Sequence, residues 1–173
     1  KLYDGSGLRN ITNNTTTGGG TGVGSGIFSN YTVPDDIKYE QCYIKVTSVN
    51  DSNVFNTSAN FPIRPKIVVT NPNSTDNLTL YSNYTNKIIW NITMATGKIS
   101  TVDIRCYVNA TAYYQINPAP LSVNPGVNTY YYNISNNTTG KNFVVRVMDH
   151  ATGFENVYGE SAPFNIFGNI TIT

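Results

Sequence analysis

The sequence predicts an all-β chain arranged as tandem β-sandwich domains of immunoglobulin or fibronectin type. Three observations predict it. The composition is that of strands and turns: by count 25 Asn, 22 Thr, 13 Tyr and 14 Gly in 173 residues, with few of the good helix formers. Apolar and polar residues alternate at period two in many short segments, and Pro- and Asn-rich turns separate them. Finally, the chain repeats itself at a spacing near 100 residues, which suits one sandwich domain per repeat.

The repeat rests on three matches. Cys42-Tyr43-Ile44-Lys45-Val46-Thr47 resembles Phe143-Val144-Val145-Arg146-Val147-Met148, both alternating strands with a cation facing outward. Val54-Phe55-Asn56-Thr57-Ser58-Ala59-Asn60-Phe61-Pro62-Ile63 resembles Val157-Tyr158-Gly159-Glu160-Ser161-Ala162-Pro163-Phe164-Asn165-Ile166. Ile67-Val68-Val69-Thr70 resembles Ile170-Thr171-Ile172-Thr173. The offsets are 101, 103 and 103. Residues 1–63 then read as the later part of one repeat, whose early strands are absent or supplied by a neighbour. Residues 64–166 read as a complete repeat, and 167–173 as the first strand of a following repeat or a donor strand. Within the complete repeat, strands are expected at 66–70, 77–81, 86–93, 101–108, 111–116, 129–135, 142–148 and 162–167, with Trp90 as core anchor. Turns fall at Asn71-Pro72-Asn73, Asn117-Pro118 and Asn124-Pro125-Gly126, and the Gly/Thr-rich run 16–26 reads as a loop.

Charged residues make up only 12% of the chain, about half the usual share, and the net charge is +1. That balance gives no electrostatic case for nucleic acid or an anionic membrane, and no stretch has the apolar length of a membrane span. Something other than charge must keep the surface soluble. The acceptor pattern Asn-x-Ser/Thr supplies a candidate. It begins at Asn10, Asn13, Asn14, Asn30, Asn50, Asn56, Asn73, Asn77, Asn83, Asn91, Asn109, Asn133, Asn136, Asn137 and Asn169. With Ser and Thr at about one residue in five, chance would give about five such patterns rather than fifteen. Their middle residues are often apolar, as in Trp90-Asn91-Ile92-Thr93 and Tyr132-Asn133-Ile134-Ser135. On a strand this places the Asn and the hydroxyl residue on one face and the apolar residue on the other. The sequon thus doubles as the pattern of a half-buried strand, and covalent N-glycans replace the missing charges. Such glycans also blunt sheet edges and place the chain outside the cell, secreted or at the cell surface.

The same residues resemble a known family, the fungal-type cell-wall synthesis (KRE/KNH-like) immunoglobulin-like repeat of Ser/Thr-rich, lipid-anchored wall proteins. The resemblance is carried by Ile89-Trp90-Asn91, Val102-Asp103-Ile104-Arg105, Phe143-Val144-Val145-Arg146-Val147 and the closing segment from Tyr158 to Ile166. It implies a β-sandwich and a role in a cell wall or extracellular coat, and it transfers no catalytic motif. The chain departs from the family in being Asn-rich rather than Ser/Thr-rich.

Candidates for chemistry are few. His150 is the single histidine; beside Asp149 it suggests an acid–base pair, against which stands a plain turn after the preceding strand. Asp149, Glu155 and Glu160 are oxygen donors for calcium without a recognised ligand spacing, and one His with two separated Cys makes no metal site. Asp35-Asp36 after Pro34 reads as a turn or cap. Tyr130-Tyr131-Tyr132 and Tyr113-Tyr114 offer rings for stacking sugars, although alternate members of each cluster must face the core. Cys42 and Cys106 fall on non-equivalent strands of different repeats; either they form an interdomain or interchain disulfide, or both are buried thiols. No cofactor beyond the glycans and no enzymatic activity is expected. The expected function is a structural glycoprotein whose repeats pack head to tail into a wall, sheath or fibril, in a homopolymer or a longer tandem chain. The segment Ile170, Thr171, Ile172 is the candidate strand donor. The alternative is a cell-surface adhesin or carbohydrate-binding module facing wall or matrix polysaccharide.

Overall fold

The computed structural model describes residues 1–11, 32–34, 36–73, 77–79, 86–94, 98–109, 111–133 and 139–167. These contain fifteen strands and no α-helix, so the chain is all-β with several antiparallel sheets. It divides into two compact units, Lys1–Arg64 and Pro65–Thr173.

In the second unit, β6 (Lys66–Asn71), β8 (Asn86–Met94) and β12 (Gly126–Tyr132) form a three-stranded antiparallel sheet in the order β12-β8-β6. The other sheet runs β10 (Tyr113–Gln115), β9 (Thr101–Tyr107), β13 (Gly140–Asp149), β15 (Phe164–Phe167) and β7 (Asn77–Thr79). Two short strands, β11 (Leu121–Ser122) and β14 (Tyr158–Glu160), pair with β9 and β13. All pairs are antiparallel except β15 with β7. Alternation dictates the core. Ile67 and Val69, then Ile88, Trp90 and Ile92, project from the first sheet. Val102, Ile104 and Cys106, then Phe143, Val145 and Val147, project from the second, and all join one hydrophobic cluster. Trp90 is fully buried, as expected of an anchor. Asn117 is buried too. Its Oδ1 accepts from the Ile104 N–H at 2.6 Å, and its Nδ2 donates to the carbonyls of Val102 and Ala119. One amide thereby closes the β9 edge between β10 and β11, where no ladder partner exists.

Several strand bounds differ from the sequence reading; the expected strand 129–135 begins at Gly126, inside the expected turn. The expected strand 162–167 begins at Phe164, and β14 precedes it unforeseen, because Tyr158-Gly159-Glu160 shows no apolar alternation. The expected strand 111–116 shortens to β10, since Asn109 opens a side-chain turn that holds the N–H groups of Thr111 and Ala112.

The first unit holds β1 (Leu2–Tyr3), β2 (Leu8–Arg9), β3 (Tyr39–Thr47), β4 (Phe55–Thr57) and β5 (Phe61–Ile63) in one sheet, ordered β2-β1-β3-β4 with β5 also on β3. Its buried core is small: Leu2, Ile37, Cys42 and Ile63. The repeat seen in the sequence extends to strand register. Lys45 pairs with Thr57 as Arg146 pairs with Glu160, and Cys42 pairs with Phe61 as Phe143 pairs with Phe164. Each β3- or β13-type strand is irregular at the same point, between Tyr39 and Cys42 and between Gly140 and Phe143.

A serine bridges the break between the paired short strands in both units. Ser58 Oγ accepts from the Ile44 N–H at 2.9 Å and donates to the Ala59 carbonyl. Ser161 Oγ accepts from the Val145 N–H at 3.0 Å and donates to the Ala162 carbonyl. The hydroxyl stands in for a missing ladder acceptor. Ser161→Ala strands a buried N–H, for which the expected loss is about 1–3 kcal/mol in denaturant unfolding. Ser58→Ala, where water reaches the freed group, is expected to cost less than about 1 kcal/mol by the same measurement.

Candidate functional site

The sequon asparagines are the first candidate site. Asn10, Asn50, Asn56, Asn73, Asn109 and Asn133 are exposed, and Asn91 is half-exposed in the middle of β8 between buried Trp90 and Ile92. Asn77 lies on β7. Asn13, Asn14, Asn30, Asn83, Asn136, Asn137 and Asn169, with Ile170, Thr171 and Ile172, lie outside the described residues.

Nδ2 is the atom that carries an N-linked sugar. Among the described residues, Nδ2 of Asn56, Asn91 and Asn109 donates no hydrogen bond. The Oδ1 of Asn109 instead accepts from Thr111 N and Oγ1 and from Ala112 N. The Oδ1 of Asn56 accepts from Thr57 N. Asn71, Asn117 and Asn128, which stand in no sequon, all donate through Nδ2 to backbone carbonyls. The outer face around Asn91 carries exposed apolar side chains beside Lys87. Val127, opposite Asn91 in register, is well exposed, as is Tyr131 on the same strand.

The second candidate site is the outer face of the sheet built on β9 and β13, where no strand carries a sequon asparagine except β7 at its far edge. The Arg146 guanidinium lies between two rings, 4.3 Å from the centroid of Tyr107 and 4.1 Å from that of Tyr158, and bonds Glu160 Oε1 at 2.6 Å. Arg105 lies 4.5 Å over Tyr113, whose ring is 5.2 Å from Tyr107. The first unit repeats the motif at matching positions: Lys45 Nζ lies 3.7 Å over Phe55, and Tyr3 stacks on Tyr43 at 4.8 Å. Each cation held over a ring contributes about 0.5–2 kcal/mol and fixes the cation in place. Sequence reasoning saw only the outward cations and the Tyr113 ring. The signal for Tyr158 was the aromatic residue at Phe55, one repeat earlier.

Of the tyrosine clusters, Tyr131 and Tyr113 are exposed, while Tyr130, Tyr132 and Tyr114 pack against the core. His150 takes a different partner from the one its neighbour suggested: Nδ1 lies 2.9 Å from Asp103 Oδ2, across the sheet. Asp149 is buried and caps the turn by accepting from Ala151 N. Glu160 is engaged by Arg146, and Glu155 accepts from Gly153 N. No three His, Cys, Asp or Glu side chains come together among the described residues.

Cys42 and Cys106 are free, buried thiols. Burial raises both thiol pKa values, that of Cys106 to about 11. Neither is a ready nucleophile. A thiol reagent is expected to titrate no cysteine in the native protein and two after denaturation without reductant; a disulfide would leave none.

The buried carboxylate of the first unit is Asp4. Its Oδ1 accepts from Ser6 N at 3.0 Å and Ser6 Oγ at 2.7 Å, and its Oδ2 accepts from Arg9, which also bonds Asp36. Burial opposes the charge, but these donors outweigh it and hold the pKa below the usual value. A depressed carboxylate stabilises the fold above its unfolded pKa, about 4, and loses that contribution as pH falls through the folded value. Acid titration followed by near-ultraviolet dichroism is expected to show the first unit loosening below about pH 4. Asp4→Asn flattens that slope.

No known protein family, curated protein or solved structure matches the chain.

Proposed function

We propose that the chain is a structural glycoprotein of an extracellular coat, built of tandem immunoglobulin-like sandwich units and kept soluble by N-glycans, with copies of itself as its main partner. The observation that carries this reading is the pairing of low charge with amides at Asn56, Asn91 and Asn109 that donate no hydrogen bond among the described residues. Only 12% of residues are charged, yet Asn10, Asn50, Asn56, Asn73, Asn91, Asn109 and Asn133 all reach the surface. A sugar on Asn91 lies over Val127 and Val68, which flank it in register. It covers apolar surface that charges would otherwise have to interrupt.

The strand order supports the immunoglobulin-like part. Taking β6, β8, β9, β12, β13 and β15 as strands A, B, C, E, F and G puts A, B and E on one sheet and C, F and G on the other, with β10 as C′. Catalysis has no support, because the one histidine–carboxylate pair sits on an open sheet face. Electron microscopy of the native secreted material tests the reading. Regular fibres, sheets or a lattice are expected, and isolated beads at all concentrations would contradict it.

A second reading, binding of wall or matrix polysaccharide, is favoured by the Tyr113–Arg105 and Tyr107–Arg146–Tyr158 rail on a face whose central strands lack sequons. Aromatic and planar cationic groups stack on sugar rings. Affinity electrophoresis through polysaccharide gels tests it: retardation abolished by Tyr113→Ala supports it, and unretarded migration removes it.

A further inference from the structure

The two units share register, so their inner faces can be compared position by position. At the outer face, exposure agrees: Phe55 is 54% and its counterpart Tyr158 43%. At one half of the inner face it does not. Ile44 is 37% exposed where Val145 is 2%, Val46 is 68% where Val147 is 0%, and Val54 is 59% where Val157 is 2%. The other half, around Leu2, Cys42 and Ile63, is buried in the first unit. The uncovered part is therefore a defined patch and not a looser fold.

The second unit shows what covers such a patch. There β6 packs on β13 and β14 and sets Ile67 and Val69 into the shared core. The sequence holds a second segment of that pattern, since Ile170-Thr171-Ile172-Thr173 aligns with Ile67-Val68-Val69-Thr70. We propose that Ile44, Val46 and Val54 form an acceptor groove for residues 169–173 of a second copy of the chain, docked as a β6-type strand. This inference rests on the reading of the chain as a self-assembling structural protein. Donor and acceptor lie on different parts of one chain, so the contact is head to tail and propagates unless it closes on itself.

One residue makes the groove shallower than its counterpart. Beneath β6 lies Gly159, where an added Cβ would stand 2.4 Å from the Ile67 carbonyl oxygen. The matching residue of the first unit is Asn56. The donor strand therefore sits farther out over Asn56 than β6 sits over Gly159, and the contact is weaker and more reversible than the internal one. A sugar on Asn56 opposes docking further.

Sedimentation velocity on the native secreted protein and its variants tests the groove, while glycopeptide mapping of the same material tests the glycan reading separately. Wild-type protein is expected to assemble with rising concentration. Val46→Asp, which places its charge at an exposed site, and a chain ending at Gly168 are each expected to stay monomeric with unchanged dichroism. Mixed one to one, the two variants are expected to form heterodimers and stop, because each retains the half the other lacks. Asn56→Gly is expected to tighten wild-type assembly by roughly tenfold. Monomeric wild-type protein, assembly that survives either variant, variants that fail to pair, or no tightening in Asn56→Gly would each overturn the proposal. Dimers that Val46→Asp disperses but truncation does not would assign the groove to face-to-face packing of two copies instead.

Discussion

Trp90→Ala is expected to cost the second unit about 3–5 kcal/mol, the largest loss from any single truncation in the chain. Trp90 is fully buried in β8, between buried Ile88 and Ile92, and is the largest buried side chain. Its removal opens a cavity walled by strands of both sheets, which cannot both move inward to fill it. Trp90→Phe is expected to cost much less. The indole Nε1 has no hydrogen-bond partner among the described residues, so phenylalanine gives up volume but no polar contact. Chemical denaturation followed by far-ultraviolet dichroism measures both. Equal losses for the two variants would mean that the indole is held by something other than packing.

Gly159→Ala is expected to cost about 3 kcal/mol, the upper part of the range for overpacking. The new Cβ meets backbone, the carbonyl oxygen of Ile67 at 2.4 Å and its carbon at 2.8 Å, and not the pliable end of a side chain. Either β6 lifts from β14 or β14 bends away, and both moves loosen the seat of Ile67 in the core. The control is Asn56→Ala at the matching position of the first unit, where the side chain is exposed; a change within about 0.5 kcal/mol is expected. The single tryptophan lies in the second unit, so its fluorescence reads the Gly159→Ala transition alone. Near-ultraviolet dichroism reads the control.

Long alternating strands were legible because burial on one face writes itself into the sequence at period two. β8, β9 and β13 follow this rule, and each was expected within a few residues of where it lies. β14 was not legible, since its middle residue is a glycine chosen for backbone approach and not for strand formation. β1 and β2, two residues each, are too short to show any period; their pairing to one another and to β3 is a tertiary property.

At the candidate sites, the sequon pattern is local and could be read directly. The free Nδ2 groups that set Asn56, Asn91 and Asn109 apart from Asn117 and Asn128 needed coordinates. The Arg146 sandwich joins residues from β9, β13 and β14 that are far apart in sequence, so only the repeat hinted at it. The two serine bridges were hidden differently. Ser58 completes the Asn56 sequon and also bridges its sheet, so the pattern alone does not separate the two roles.

Mass-spectrometric mapping of glycopeptides from the native secreted protein tests the central claim most directly. The account predicts sugar on Asn91, Asn109 and Asn133, whose side chains reach the surface, with Asn91 carrying glycan in the middle of a strand. Unmodified asparagine at all three positions would contradict it, because the exposed apolar side chains of Val127 and Tyr131 beside Asn91 would then have no sugar over them.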